Sequence, residues 1–119
     1  MDAYANRPNN LHEIQTLVKI KKIKHIKVNS YSFNIIWDNS NDYGSFSYGK
    51  KEIRIGTKTN TTDEIWMIIC HEIMEIVALE MHVRFDRPDC ATDYLFVYDH
   101  RQHDTMMNMH SSLIKQFIS

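Results

Sequence analysis

The sequence contains few of the residues that cross-link, stiffen or interrupt a chain. It has two cysteines, two prolines and three glycines among 119 residues. Two cysteines, Cys70 and Cys90, are too few for the disulfide framework of a small secreted domain, so we expect a reducing compartment. Because a chain of this length can bury a core without such cross-links, it is predicted to form one domain, residues 1–119.

The sequence also lacks an excess of charge of one sign. Fourteen Lys and Arg residues stand against 15 Asp and Glu, for a formal net charge of -1, which argues against a general affinity for polyanions or membrane surfaces. The most basic stretch, residues 19–27, alternates Ile with Lys and predicts a strand with one solvated face more simply than a nucleic-acid site. We therefore do not expect a nucleic-acid partner.

Uninterrupted apolar runs are missing as well. The longest apolar region, residues 65–81, contains four ionisable side chains: His71, Glu72, Glu75 and Glu80. Such groups are costly inside a bilayer, so this region is not expected to span a membrane. Residues 1–8 are polar and lack the apolar segment of a signal peptide. These absences predict a cytoplasmic protein without a membrane partner.

The hydrophobic period predicts strands in the first half of the chain. Apolar residues at helical spacing predict a short helix over residues 9–20, within an N-terminal extension of residues 1–22. Over residues 23–56 the period is two, and turns at residues 29–30 and 49–51 divide this region into two β-hairpins. We expect these hairpins to form a small, mainly antiparallel sheet.

The second half of the chain is predicted to be helical. Thr61 can cap a central helix over residues 61–84, and Pro88 lies in the break that follows it. Residues 93–98 are compatible with a strand or a packed loop, and a capping pattern then opens a C-terminal helix over residues 99–118. Strands followed by helices indicate an α+β domain with the helices on one face of the sheet.

The central helix contains an H-E-x-x-E motif. At about 100° per residue, His71 and Glu75 lie about 40° apart on adjacent turns and project from the same face. An imidazole nitrogen and a carboxylate oxygen are both good zinc ligands. Glu72 lies beside them, where the general base of H-E-x-x-H metallohydrolases is found. The motif predicts one Zn²⁺ on His71 and Glu75, with Glu72 activating a metal-bound water.

A simpler interpretation of the motif remains open. A His and a Glu four residues apart often form only a helix-stabilising contact. The helix is apolar nearly all round, however, which is typical of a buried central helix. Burying His71, Glu72 and Glu75 would cost several kcal/mol unless they are paired, hydrogen-bonded or metal-bound. The predicted burial therefore favours the metal site.

A third metal ligand has to come from another element. His82 would lie about 16 Å along the helix axis from His71, too far to share an ion. His103 and His110 lie on the apolar face of the last helix about 10 Å apart, so only one of them can be a ligand. We expect His103 to be the third ligand, with His100 and His110 as alternatives.

The order of these elements resembles that of compact zincin-type metallopeptidase domains of phage and mobile-element proteins. The similarity spans residues 23–118 and includes a hairpin ending in Ile53-Arg54-Ile55, a Thr-led H-E-x-x-E helix and a late helix that opens near a histidine. It implies zinc bound by His71, Glu75 and His103, with Glu72 as the base. It also implies that the I-x-I strand is the sheet edge to which an extended peptide adds. The chain departs from the family in having Glu75 where zincins usually have His.

The predicted activity is therefore zinc-dependent hydrolysis of peptide bonds in a peptide or protein substrate. Tyr94, Tyr98 or another histidine could stabilise the oxyanion, and the sequence does not choose among them. The alternative is a non-catalytic zincin-like module, of the phage-encoded kind, that keeps the same frame as a protein-binding surface.

Overall fold

A computed structural model describes residues 19–118, apart from the side chains of residues 90–92. The helix expected over residues 9–20 therefore lies almost entirely outside the described residues. The chain first forms four strands, β1 (His25–Val28), β2 (Tyr31–Asp38), β3 (Gly44–Ser47) and β4 (Glu52–Gly56). It continues with helix α1 (Thr62–Glu80), strands β5 (Arg84–Arg87) and β6 (Cys90–Phe96), helix α2 (His100–Ile114) and a 3-10 turn (Lys115–Phe117).

The first four strands form one sheet in the order β1-β2-β4-β3. The hairpins β1–β2 and β3–β4 are antiparallel, as expected, and the central strands β2 and β4 run parallel. This confirms the α+β class. The strand containing Ile53-Arg54-Ile55 is β4, which is hydrogen-bonded on both sides, so the expectation that it forms the sheet edge is wrong. The edge on that side of the sheet is β3.

Alternation along the strands directs one face of the sheet toward the helices. The buried sheet residues are apolar: Ile26, Val28, Phe33, Ile35, Ile53 and Ile55. Helix α1 covers β3 and β4, and α2 packs against α1 and β1. Fully burying an aliphatic side chain contributes about 1.5–3 kcal/mol, so this layer fixes how α1 lies against the edge strand. The helices thus lie on one face of the sheet, as the sequence predicted.

Helix α1 begins where the sequence predicts and ends earlier. Thr61 and Glu64 form a reciprocal capping box at its start. The helix ends at Glu80, four residues before the predicted end at residue 84. His82 adopts a left-handed conformation with φ of 57°, which reverses the chain and lets residues 84–87 pair with β6 instead of extending the helix.

The resulting two-stranded sheet joins the two helices. Residues 93–98 were predicted as a strand or a packed loop. Residues 93–96 belong to strand β6, in which Phe96 pairs with Arg84 across the hairpin. Asp99 and Gln102 then cap α2 as predicted, and the last turn tightens into the 3-10 turn. No helix within residues 19–118 has the length and apolarity needed to cross a membrane.

Candidate functional site

An open groove of about 290 Å³ lies beside the contact between α1 and the edge strand β3. It is lined by five residues: Gly44, Met67, Ile68, His71 and Glu72. A Cβ on Gly44 would lie 2.4 Å from Cγ2 of Ile68 and 3.1 Å from Oε1 of Glu72. Any larger residue would press on α1, so glycine allows the strand to approach the helix at this point. Gly44 is itself the sequence signal for this close approach, although the period of two over residues 23–56 does not single it out.

Glu72 is the buried carboxylate of the groove. Glu72 is 6% exposed. Its side chain forms no hydrogen bond with the part of the chain that the structure describes. Burial raises the pKa of Glu72, and the negative charge of Glu75 adds to that effect, while His71 and Arg84 oppose it. A carboxylate with a raised pKa accepts a proton more readily, which suits a general base.

His71 and Glu75 lie beside Glu72 on the same helix. Nε2 of His71 is 3.7 Å from Oε1 of Glu75, and the His71 side chain is 69% exposed. The separation is too long for a hydrogen bond. Two ligands of a tetrahedral zinc ion, each at about 2.1 Å, would be about 3.4 Å apart. A shift of a few tenths of an ångström would therefore let both atoms ligate one ion.

Arg84, the first residue of β5, contacts the other oxygen of Glu75. Its Nε lies 3.3 Å from Oε2, and the two side chains are 12% and 17% exposed. Although this is an ion-pair distance, the groups are not aligned as donor and acceptor, and both atoms are buried without a hydrogen bond. Arg84 thus provides positive charge beside the Glu75 carboxylate, part of the compensation that was expected from a metal ion. Sequence reasoning missed this contact because it placed residue 84 in the central helix.

The late histidines approach α1 at different places. The His103 ring stacks with the rings of Tyr98 and His100, whose centroids are 6.0 Å and 6.4 Å away. It also lines an apolar cavity of about 200 Å³ beside Met74 and Ala78. His110 donates from Nε2 to the Cys70 carbonyl oxygen at 3.1 Å.

These histidines do not complete a metal site with the motif. His100 is 90% exposed and lies 3.7 Å from Asp104. Among the side chains that the structure describes, those of residues 19–89 and 93–118, no three His, Cys, Asp or Glu form a group arranged to hold a metal ion. The structure thus brings together His71, Glu72 and Glu75, and it does not bring His100, His103 or His110 into a ligand group with them. The identity of the third ligand stays a prediction.

Comparison with protein-family models, curated proteins and solved structures finds no match to this chain. The resemblance to zincin-type domains therefore rests on the motif and on the order of the elements.

Proposed function

We propose that the groove between β3 and α1 binds a divalent metal, zinc by preference, and hydrolyses peptide bonds with Glu72 as general base. One observation carries the proposal. A buried carboxylate with a raised pKa opens onto the groove beside two potential ligand atoms that are 3.7 Å apart.

The donor set of the proposed site is compatible with zinc. His71 supplies an imidazole nitrogen and Glu75 a carboxylate oxygen, and catalytic zinc sites of two His and one carboxylate are known. We assign the third ligand to His103, with His100 and His110 as the alternatives. Bound zinc would polarise the substrate carbonyl and lower the pKa of a bound water toward about 7.

Glu72 and the edge of β3 would perform the remaining tasks. The Glu72 carboxylate would take a proton from the attacking water and pass it to the leaving amine. The outer edge of β3 would bind an extended peptide backbone as an additional strand. A side chain at Gly44 would press against Ile68 and Oε1 of Glu72, and glycine at this position keeps Glu72 among the residues that line the groove.

The Glu72→Gln variant tests the assignment of the base. Gln keeps the shape of the side chain and cannot accept the proton at neutral pH, so cleavage of a quenched fluorescent peptide library should be lost while zinc remains bound. The matched control is Glu52→Gln, which alters a half-buried glutamate in β4. Undiminished cleavage by Glu72→Gln would refute the proposed role.

A second candidate is a non-catalytic protein-interaction module. The observation that favours it is a continuous exposed apolar segment around β5 and β6, with side chains 39–56% exposed: Phe85, Tyr94, Leu95, Phe96, Val97 and Tyr98. Exposed apolar patches often mark interaction surfaces. Stoichiometric partner binding that survives Glu72→Gln and chelation, and that is lost in Phe85→Ser, would support this function.

A further inference from the structure

Two stretches of the chain contain lysine and no acidic side chain. No Asp or Glu occurs between Glu13 and Asp38, or after Asp104. The first stretch contains five exposed lysines: Lys19, Lys21, Lys22, Lys24 and Lys27. The second contains one, Lys115, which is also exposed. The two stretches lie far apart in the sequence, so their charges are added together only if the fold brings them side by side.

The fold packs these stretches against each other at the β1 edge of the sheet. The backbone N–H of Lys21 donates to the Phe117 carbonyl at 2.7 Å. The Gln116 side chain accepts from the N–H of Lys27 and donates to its carbonyl, each at 2.9 Å. Phe117 and Gln116 belong to the same 3-10 turn as Lys115. The six lysines therefore lie along one edge of the sheet, which we call the basic edge.

The backbone of the basic edge is ordered by contacts with the neighbouring strand. The Trp37 indole donates to the Ile23 carbonyl at 2.9 Å, and the N–H of Ile35 donates to the Lys24 carbonyl at 2.8 Å. Because these segments are already fixed, binding a ligand costs less conformational entropy than it would for a charged tail.

None of the six lysines forms an ion pair with another residue that the structure describes. The ion pairs in that part of the chain use other cations: Arg54, Arg84, Arg87, His71, His100 and His103. The formal net charge of -1 conceals this edge, because almost all acidic residues lie within residues 38–104. A concentration of unpaired positive charge attracts a polyanion.

We infer that the basic edge binds the phosphate backbone of a nucleic-acid duplex without reading its sequence. The sequence alone favoured a solvated strand, since it did not show that a second acid-free stretch lies beside residues 19–27. An extended chain advances about 3.3 Å per residue, so Lys19 to Lys27 span at most about 26 Å, the length of about eight base pairs of B-DNA.

Two observations favour a duplex over a single strand or an anionic membrane. Single-strand sites usually add aromatic rings on which bases stack, and no aromatic side chain is exposed within residues 19–37 or 105–118. Ile20 and Ile23, which alternate with the lysines, pack against the core, so they are not free to insert into a bilayer.

The inference does not rest on the proposed function. The groove containing Glu72 lies beside β3, at the opposite edge of the sheet from β1. A duplex bound to the basic edge therefore leaves the groove open.

The salt dependence of duplex binding tests the inference. Fluorescence anisotropy measures the affinity of the full chain for a labelled DNA duplex of about 20 base pairs, between about 50 and 200 mM salt. Each phosphate contact contributes about -0.9 to the slope of log K against log salt, so six lysines predict a slope of about -5. Two duplexes of unrelated sequence should bind within about twofold of each other, because phosphates carry no sequence information. No binding at about 50 mM salt, or a slope near zero, would overturn the inference.

A pair of double variants separates the basic edge from total charge. Lys22→Gln with Lys24→Gln should make the slope shallower by about two and weaken binding by about tenfold or more at about 100 mM salt. The matched control, Lys50→Gln with Lys58→Gln, removes the same charge from exposed lysines outside the basic edge and should leave the slope unchanged. Equal losses in the two double variants would overturn the inference.

Vesicles of phosphatidylcholine and phosphatidylserine, in a ratio of about 2:1, test the membrane as the alternative partner. At the same salt concentration, the protein should bind the duplex more tightly than the vesicles in sedimentation. Vesicle binding at least as tight as duplex binding would overturn the inference.

Discussion

Gly44 lies so close to Glu72 that a Cβ on the glycine would be 3.1 Å from the carboxylate oxygen Oε1. The same Cβ would be only 2.4 Å from Cγ2 of Ile68. The edge strand and the motif helix therefore meet at a position without a side chain. Gly44 and Glu72 both line the groove beside this contact.

Replacing Gly44 with Ala should destabilise the protein by about 1–3 kcal/mol, because the added methyl group overpacks the interface with Ile68. Urea unfolding measures the effect. Gly49→Ala is the matched control, since its Cβ would have no neighbour within 4 Å, and it should change stability by no more than about 0.5 kcal/mol. Equal stabilities of the two variants would contradict the close approach of β3 to α1.

The raised pKa of Glu72 predicts a pH dependence of stability. Folding favours the neutral carboxyl, so Glu72 opposes folding increasingly as the pH rises above its usual pKa of 4.5 toward the raised value. Glu72→Gln removes this penalty and should be more stable than the unmodified protein at pH 7, with little difference at pH 4. Urea midpoints at the two pH values provide the measurement. At each pH the stability of Glu72→Gln is compared with that of the unmodified protein. If the variant gains no stability over the unmodified protein between pH 4 and pH 7, the raised pKa of Glu72 is contradicted.

Asp38 is predicted to act in the opposite direction at acid pH. Hydrogen bonds from the Ser40 side chain and backbone, assisted by Arg54, lower the pKa of Asp38 from 3.8 to about 2 against a smaller effect of burial. The stabilisation is present above pH 3.8 and is lost as the pH falls through about 2. Asp38→Asn should therefore be less stable at pH 5, with a difference that shrinks toward pH 2 in thermal unfolding. The exposed Asp86→Asn serves as the control for the loss of a surface carboxylate.

Local patterns in the sequence predicted the local elements well. The Asn29-Ser30 turn lies between β1 and β2, and Asn29 takes a left-handed φ of 55°, which asparagine tolerates better than most residues. The capping boxes at Thr61 and Asp99 mark the starts of α1 and α2. In each case the signal and the structure it specifies lie within a few residues of each other.

Contacts between distant segments were not predictable in the same way. Strands β2 and β4 pair in parallel. The hydrophobic period of a strand does not depend on the direction of its neighbour, so it could not predict this pairing. Strand β5 is only four residues long, and it depends on pairing with β6, so its sequence alone is also compatible with a helix end. The Arg84–Glu75 contact was missed for that reason.

The apolar pattern of α1 also overestimated its burial. Met67 is 63% exposed and His71 side chain 69% exposed, because both line the groove instead of the core. Periodicity indicates that a helix has several apolar faces. It does not indicate which face is left uncovered beside a sheet edge.

The third ligand can be identified from zinc affinities of three alanine variants. His103→Ala should weaken binding by about 100-fold or more if His103 completes the site, whereas His100→Ala and His110→Ala should change it little. His110→Ala also removes the hydrogen bond to the Cys70 carbonyl, so its unfolding free energy should be measured in parallel. If His110→Ala or His100→Ala has the largest effect on zinc at unchanged stability, the ligand is that residue.

The most direct measurement is the zinc content of the purified protein and of His71→Ala after dialysis against trace zinc, with His82→Ala as a control on the exposed histidine beyond α1. The account predicts about one zinc ion per chain in the unmodified protein and in His82→Ala, and almost none in His71→Ala. No zinc in the unmodified protein, or an equal content in His71→Ala, would contradict it.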